Sequence, residues 1–186
     1  MRTRPPISAS RNRARSRASN IVTSRMRDLA IYLQDPAATG RLGLLLSAHL
    51  HAGDVVALEG TLGAGKSVLA RAVISTLCPE EDDIPSPTFT LVQTYEPDNR
   101  PVIMHFDLYR LDAPEEALEL GIEDAFIDAV SLVEWPRRLV GYLPRSALTI
   151  ALSEGDSDTS RRARLHGGAR WQPVLEALAT QFRQEG

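Results

Sequence analysis

The chain has 186 residues, 43% of them hydrophobic, with 21 basic and 24 acidic side chains and a formal net charge of −3. That length fits one domain with a tail, that hydrophobic content fits a folded core, and no apolar run nears the roughly 18 residues that cross a membrane. A single cysteine, Cys78, excludes an internal disulfide and fits a reducing, cytoplasmic compartment.

The charge is unevenly divided. Residues 1–27 carry eight Arg and no acid, while residues 28–186 hold 13 bases against all 24 acids, a net −11. So acidic a body is not built as a nucleic-acid surface, and contact with RNA would need a local basic patch, the leader or a partner protein. Residues 1–25, rich in Arg, Ser, Ala and Pro, have too few apolar side chains to pack and are expected to be disordered. An inert or miscalled extension, a basic nucleic-acid-binding arm and an organelle transit peptide are the readings that composition leaves open. The expected division is a leader, 1–27, and one domain, 28–186.

Asp35 as N-cap and Pro36 at the first helical position open a helix whose apolar face is Leu42, Leu45, Leu46 and His49 or Leu50, with Gly53 as its stop. His49 and His51 flank that face and read as surface residues. Residues 54–59 are a short apolar, β-branched run that predicts a strand. It ends at Gly60-Thr-Leu-Gly-Ala-Gly-Lys-Ser67, the pattern of a phosphate-binding loop, and residues 68–77 follow with helical spacing.

Strand, loop and helix in that order give the pattern its chemistry. Glycines let the backbone curl so that N–H groups, with the positive end of the next helix, surround a phosphate. Thr61, Leu62, Gly63, Ala64, Gly65, Lys66 and Ser67 are therefore candidate nucleotide-binding residues. Lys66 would reach the β- and γ-phosphates and the Ser67 hydroxyl would ligate Mg²⁺. Lys66 is also the only lysine in the chain, against 20 Arg. A bulky, planar guanidinium cannot thread the loop as a compact ammonium can. Cys78, at the end of the helix, reads as a packed small hydrophobe.

An acidic link at 79–83 leads to Ser86-Pro-Thr-Phe-Thr90 and a strand at 91–95. A turn cluster at 97–101 precedes a second strand at 102–109, and so short a connection predicts an antiparallel hairpin. Residues 113–121 read as a short helix with acids in its first turn and Gly121 at its end, and 122–129 as another. Residues 130–135 form a buried strand stopped by Pro136. Late strands are expected at 148–152 and 162–166, and a closing helix at 172–182.

Hydrolysis needs more than the loop: a carboxylate at the tip of an apolar strand for Mg²⁺, and a group that orients the attacking water. Glu134, ending Leu132-Val133, and Asp107, within the run 102–108, have that setting. The structural alternative for each is an ion pair with Arg110 or Arg137. Thr88 and Thr90 lie where a switch segment would sense the γ-phosphate, although Thr also simply favours strands.

These blocks together resemble the TsaE (YjeE) family, the bacterial ATPase of tRNA threonylcarbamoyladenosine biosynthesis. Besides the loop they are Ser86-Pro-Thr-Phe-Thr90, His105-Phe-Asp-Leu-Tyr-Arg110 and Val133-Glu-Trp-Pro136, and the likeness covers roughly residues 30–166. The resemblance implies an α/β fold, a single three-layer P-loop NTPase domain with a mixed parallel/antiparallel central sheet. It implies ATP and Mg²⁺, and action with the threonylcarbamoyl transferase subunit (TsaD) and its dimerisation partner (TsaB). In that family slow ATP hydrolysis supports the complex that modifies adenosine 37 of tRNAs reading ANN codons, so tRNA is met through the complex. Lys66 and Ser67 carry over as phosphate and metal ligands, with Ser67 where the family more often has Thr. Glu134 carries over as a Mg²⁺ ligand, Asp107 as the second functional carboxylate, and Trp135 as the aromatic neighbour of Glu134. Thr39 falls in the family's region near the adenine, and Ser160 at the start of a strand that closes on the nucleotide.

The alternative is a P-loop small-molecule kinase with Arg161, Arg162 and Arg164 over the transferred phosphoryl group. The hairpin after the loop helix argues against it, since small kinases place a substrate-binding helical segment there. A guanine-specific switch would need an Asn-Lys-x-Asp element, and the chain has no second lysine.

Overall fold

The computed structural model describes residues 28–183, so the expectations for the leader lie outside the described residues. In chain order the elements are β1 (Asp28–Leu33), α1 (Pro36–Ser47), β2 (Val55–Glu59), α2 (Lys66–Leu77), β3 (Val92–Tyr95), β4 (Ile103–Asp107), α3 (Glu116–Glu119), α4 (Ile122–Asp128), β5 (Val130–Glu134), β6 (Leu148–Glu154), β7 (Arg161–His166) and α5 (Gln172–Arg183). Short 3₁₀ turns stand at Pro136–Arg138 and Ala169–Trp171.

The seven strands make one sheet in the order β1-β7-β6-β2-β5-β4-β3. β6, β2, β5 and β4 run parallel at its centre. The expected hairpin is present, with Val92 opposite Phe106 and Tyr95 opposite Ile103. At the other side β7 pairs antiparallel with both β6 and β1.

Strand side chains alternate between faces, and the two faces carry two cores. Val56 and Leu58 of β2, Leu132 of β5 and Ile150 of β6 pack with Leu42 and Leu46 of α1, Val73 and Ile74 of α2 and Leu178 of α5. Val55, Phe106 and Val133 point the other way, into a cluster with Ala117 of α3, Ile122 and Ala125 of α4, and Leu139. The result is helix, sheet, helix. Val55 through Leu58 are all buried because a central parallel strand is covered on both faces.

Three local expectations are corrected. The helix opened by Asp35 stops at Ser47, well short of Gly53. The Ser47 hydroxyl turns back to Leu44 O at 2.7 Å, and His49 and Leu50 close tight turns onto Leu46 and Ser47. Gly53 serves a later turn, with φ 82 and its N–H on Ala129 O. The helix expected at 113–121 is one turn, Glu116–Glu119, and Gly121 at φ 73 starts α4. The strand β1 was not anticipated at all, although its alternation buries Ile31 and Leu33 against the core.

Candidate nucleotide-binding site

The parallel strands β2, β4 and β5 all end at one edge of the sheet, and the candidate site is built on those ends. From Glu59 the chain turns through the glycine loop into α2. Gly60 has φ 146, and a Cβ there would stand 2.5 Å from Leu152 O, so only glycine fits. Gly65, at φ 102, delivers the chain into the helix. Unlike α1, which Asp35 caps by accepting from Ala38 N at 2.8 Å, α2 begins with no side-chain cap and no acid in its first turn. Its first amides and the positive end of its dipole therefore face the cavity for an anion.

Lys66 is buried beneath the loop. Its Nζ donates to Gly60 O at 3.0 Å and Thr61 O at 2.9 Å, and lies 4.0 Å from the centroid of the Trp135 ring. Burial lowers its pKa below the usual lysine value, while the Glu134 and Asp107 carboxylates push the other way. Two carbonyl acceptors and a π face are partners for an ammonium.

Ser67 Oγ donates to Glu134 Oε2 at 3.0 Å. The other oxygen, Oε1, lies 3.0 Å from Nε2 of the buried His105. Asp107 accepts from Thr88 Oγ1 at 2.9 Å through Oδ2 and from Tyr109 N at 3.1 Å through Oδ1. The structural alternative for these carboxylates is not what the structure shows. Arg137 pairs with Glu59 at 3.3 Å, and the Arg110 guanidinium stacks 4.5 Å from the Phe89 ring centroid.

Leu62, Gly63, Gly65, Lys66, Ser67, Thr88, Asp107, Tyr109, Glu134 and Trp135 line a cavity of about 200 Å³. Trp135 holds a left-handed backbone, φ 59, which is strained for a bulky residue. That conformation turns its ring back over Lys66, where it packs at 4.9 Å against Tyr109. Hydroxyl and carboxylate oxygens meeting beside phosphate-facing amides are the donor set of Mg²⁺, which uses one or two carboxylates and the substrate's phosphates.

The remaining predicted residues stand apart from this cavity. Ala64 is packed in the core under the loop, and Thr61 lines the opposite side of the loop with Pro136 and Ala151. Thr90 is exposed and accepts from Gln93 Nε2 at 3.3 Å. Thr39 is buried in α1, its hydroxyl 3.5 Å from Asp35 O. Ser160 is buried in the β6–β7 turn, bonded to Ser157; its neighbour Arg161 is the one that reaches the loop, donating to Gly63 O at 3.2 Å. His105 and Tyr109 were given no role from sequence. Their signal was available, since His105 stands two residues before Asp107 in a strand and so leaves the sheet on the same face.

A three-layer domain whose glycine loop joins a central parallel strand to a helix, with a carboxylate ending the neighbouring strand, is a P-loop nucleotide triphosphatase, and the fold implies nucleotide binding. Comparison with known proteins narrows the class. The family model for "Threonylcarbamoyl adenosine biosynthesis protein TsaE" matches residues 33–163. Proteins of that name from Rickettsia felis and Nostoc sp. are 45% and 39% identical, over 56% and 73% of this chain. The matches span 61% of the Rickettsia protein's length and 83% of the Nostoc protein's. The crystal structure of Bacillus subtilis YdiB superposes with a TM-score of 0.69 at 28% identity, covering 85% of this chain and 99% of that one. The chain belongs to the TsaE family. The family match overturns the small-molecule kinase alternative.

Proposed function

We propose that this chain is the ATPase of tRNA threonylcarbamoyladenosine formation. It binds ATP with Mg²⁺ and hydrolyses it slowly, in support of the complex that modifies adenosine 37 of tRNAs reading ANN codons. The observation that carries the reading is the 3.0 Å hydrogen bond from Ser67 to Glu134. It brings the first turn of the loop helix and the tip of the neighbouring strand within chelating distance of one another.

Amides of the loop and Lys66 would hold the phosphates, and Ser67 and Glu134 would hold the metal. Mg²⁺ bound there would supply neutralisation of phosphate charge. Asp107, beside Glu134 and held by Thr88, orients the attacking water. Tyr109 and Trp135 wall that side of the cavity and keep bulk water from Lys66. Hydrolysis alone transfers no threonylcarbamoyl group, and the partners proposed from the family resemblance are the transferase subunit TsaD and its dimerisation partner TsaB, with tRNA met through them. The acidic body, with 13 bases against 24 acids, fits this division of labour. No helix among the described residues is long and apolar enough to cross a membrane, and the setting proposed is the cytoplasm. Residues 1–27 are proposed as an extension outside the ATPase domain, 28–186.

The test is reconstitution of the full chain with both partners, tRNA and ATP, reading phosphate release and modified adenosine together. Lys66→Ala is expected to abolish both. Modification at the unaltered rate with that variant would overturn the reading.

A further inference from the structure

His105 is 1% exposed, and Glu134, whose Oε1 it meets at 3.0 Å, is 2% exposed. A carboxylate can only accept, so Nε2 carries the hydrogen and donates. Nδ1 is also buried and has no hydrogen-bond partner among the described residues. The ring therefore has a single polar contact and one stranded nitrogen. An apolar side chain of similar volume would serve the core better, because it would bury no unpaired nitrogen. The reason for an imidazole here must lie in the one contact it makes.

The two oxygens of Glu134 are thus divided: Oε1 to His105, Oε2 to Ser67. The geometry points to His105 as a positioning residue that selects the rotamer of Glu134. It holds Oε1 at the floor of the cavity, so that Oε2 alone turns toward Ser67 and the metal. Neighbours that hydrogen-bond a ligating carboxylate cost about 10- to 100-fold in metal affinity when removed. This inference rests on the reading of Glu134 as a Mg²⁺ ligand.

The experiment measures binding of a fluorescent non-hydrolysable ATP analogue to the full chain, with Mg²⁺ and again with EDTA. The ratio of the two dissociation constants reports the metal's contribution alone. In His105→Leu the ratio is expected to fall about tenfold while affinity in EDTA stays within about twofold. In His105→Gln, whose amide nitrogen can replace Nε2 as donor, the ratio is expected to recover to within about threefold. A ratio unchanged in His105→Leu overturns the proposal. So does His105→Gln behaving as His105→Leu, because packing and not the donor would then be responsible. Glu134→Gln separates the two readings: if it too leaves the ratio unchanged, the metal-ligand role of Glu134 has failed first. Thermal unfolding of each variant confirms that the fold is intact.

Discussion

Asp107 and Glu134 are direct partners across the parallel β4–β5 ladder, the last residue of each strand. Parallel register turns both side chains out of the same face of the sheet, and both are buried, at 4% and 2% exposure. Two carboxylates so placed repel one another, and the nearby Lys66 ammonium and hydrogen bonds offset that repulsion. Here Thr88 and the Tyr109 amide hold one, and Ser67 and His105 the other. The pair therefore separates stability from activity. Asp107→Asn removes one of the charges and keeps one oxygen for Thr88, but turns an amide donor toward the Tyr109 N–H. The two effects oppose each other, so its thermal midpoint should stay close to that of the unaltered chain, while ATP hydrolysis should fall about 10²- to 10³-fold. Calorimetry and a phosphate-release assay on the same preparation check both halves.

Lys66 lies between two carbonyls and the face of Trp135. Engagement of a phosphate must draw the ammonium away from that ring. Intrinsic fluorescence should therefore change on adding nucleotide, and Trp135→Phe should abolish the change, because Trp171 is fully buried under α5. Lys66→Arg should bind nucleotide at least about tenfold more weakly, since a planar guanidinium does not fit the turn the ammonium occupies.

Gly43 makes the close approach of α1 to α2 possible. A Cβ there would stand 2.6 Å from Ala72 Cβ and 3.1 Å from its backbone carbon. Helix propensity alone favours Gly43→Ala by up to about 1 kcal/mol, but overpacking costs about 1–3 kcal/mol. The clash should win and lower the midpoint. Ala72→Gly in the same chain should recover part of the loss, as expected for two residues in contact. Denaturant unfolding of Gly43→Ala, of Ala72→Gly alone and of the double variant measures the coupling.

Cys78 is buried, and desolvation, with smaller contributions from Glu80 and Glu81, pushes its thiol from 9.0 to about 11. Because the native pKa is raised, the thiol contributes stability that is fully present below pH 9 and is lost as pH rises toward 11. At pH 8 the thiolate fraction is about a hundredfold smaller than for a free thiol, so alkylation by iodoacetamide should be negligible until denaturant is added. Mass spectrometry of labelled chain with and without urea reads this directly.

The loop Gly60–Ser67, the hairpin, and Glu134 at a strand tip could be read from the chain because each depends on neighbours in sequence; Asp107 reads as lying within a strand expected at 102–109, and the structure ends that strand at Asp107. Turn chemistry needs glycine at given places, alternation marks strands, and capping residues mark helix starts. β1 escaped because a short edge strand following an Arg-rich leader carries only half a face of signal; its partners in β7 run from Asp28 opposite His166 to Leu33 opposite Arg161, far along the chain. The helix stop at Ser47 escaped because backbone turns closed by His49 N and Leu50 N, and not the expected glycine, end the helix.

What the sequence determined by itself was the nucleotide loop, the lone lysine within it, and two carboxylates on apolar strand runs, Glu134 at the end of its own. Tertiary structure alone decided which hydroxyl meets which carboxylate. Ser67 and Glu134 are 67 residues apart, and Thr88 and Asp107 are 19 apart. Parallel register brings Asp107 level with Glu134, and the chain before β3 sets Thr88 on Asp107 while Thr90 stays exposed. It also decided the place of His105. Alternation could set its face, but only the β4–β5 pairing puts a buried imidazole against the carboxylate beside the loop, because side-chain contacts between strands follow from register and not from proximity in the chain.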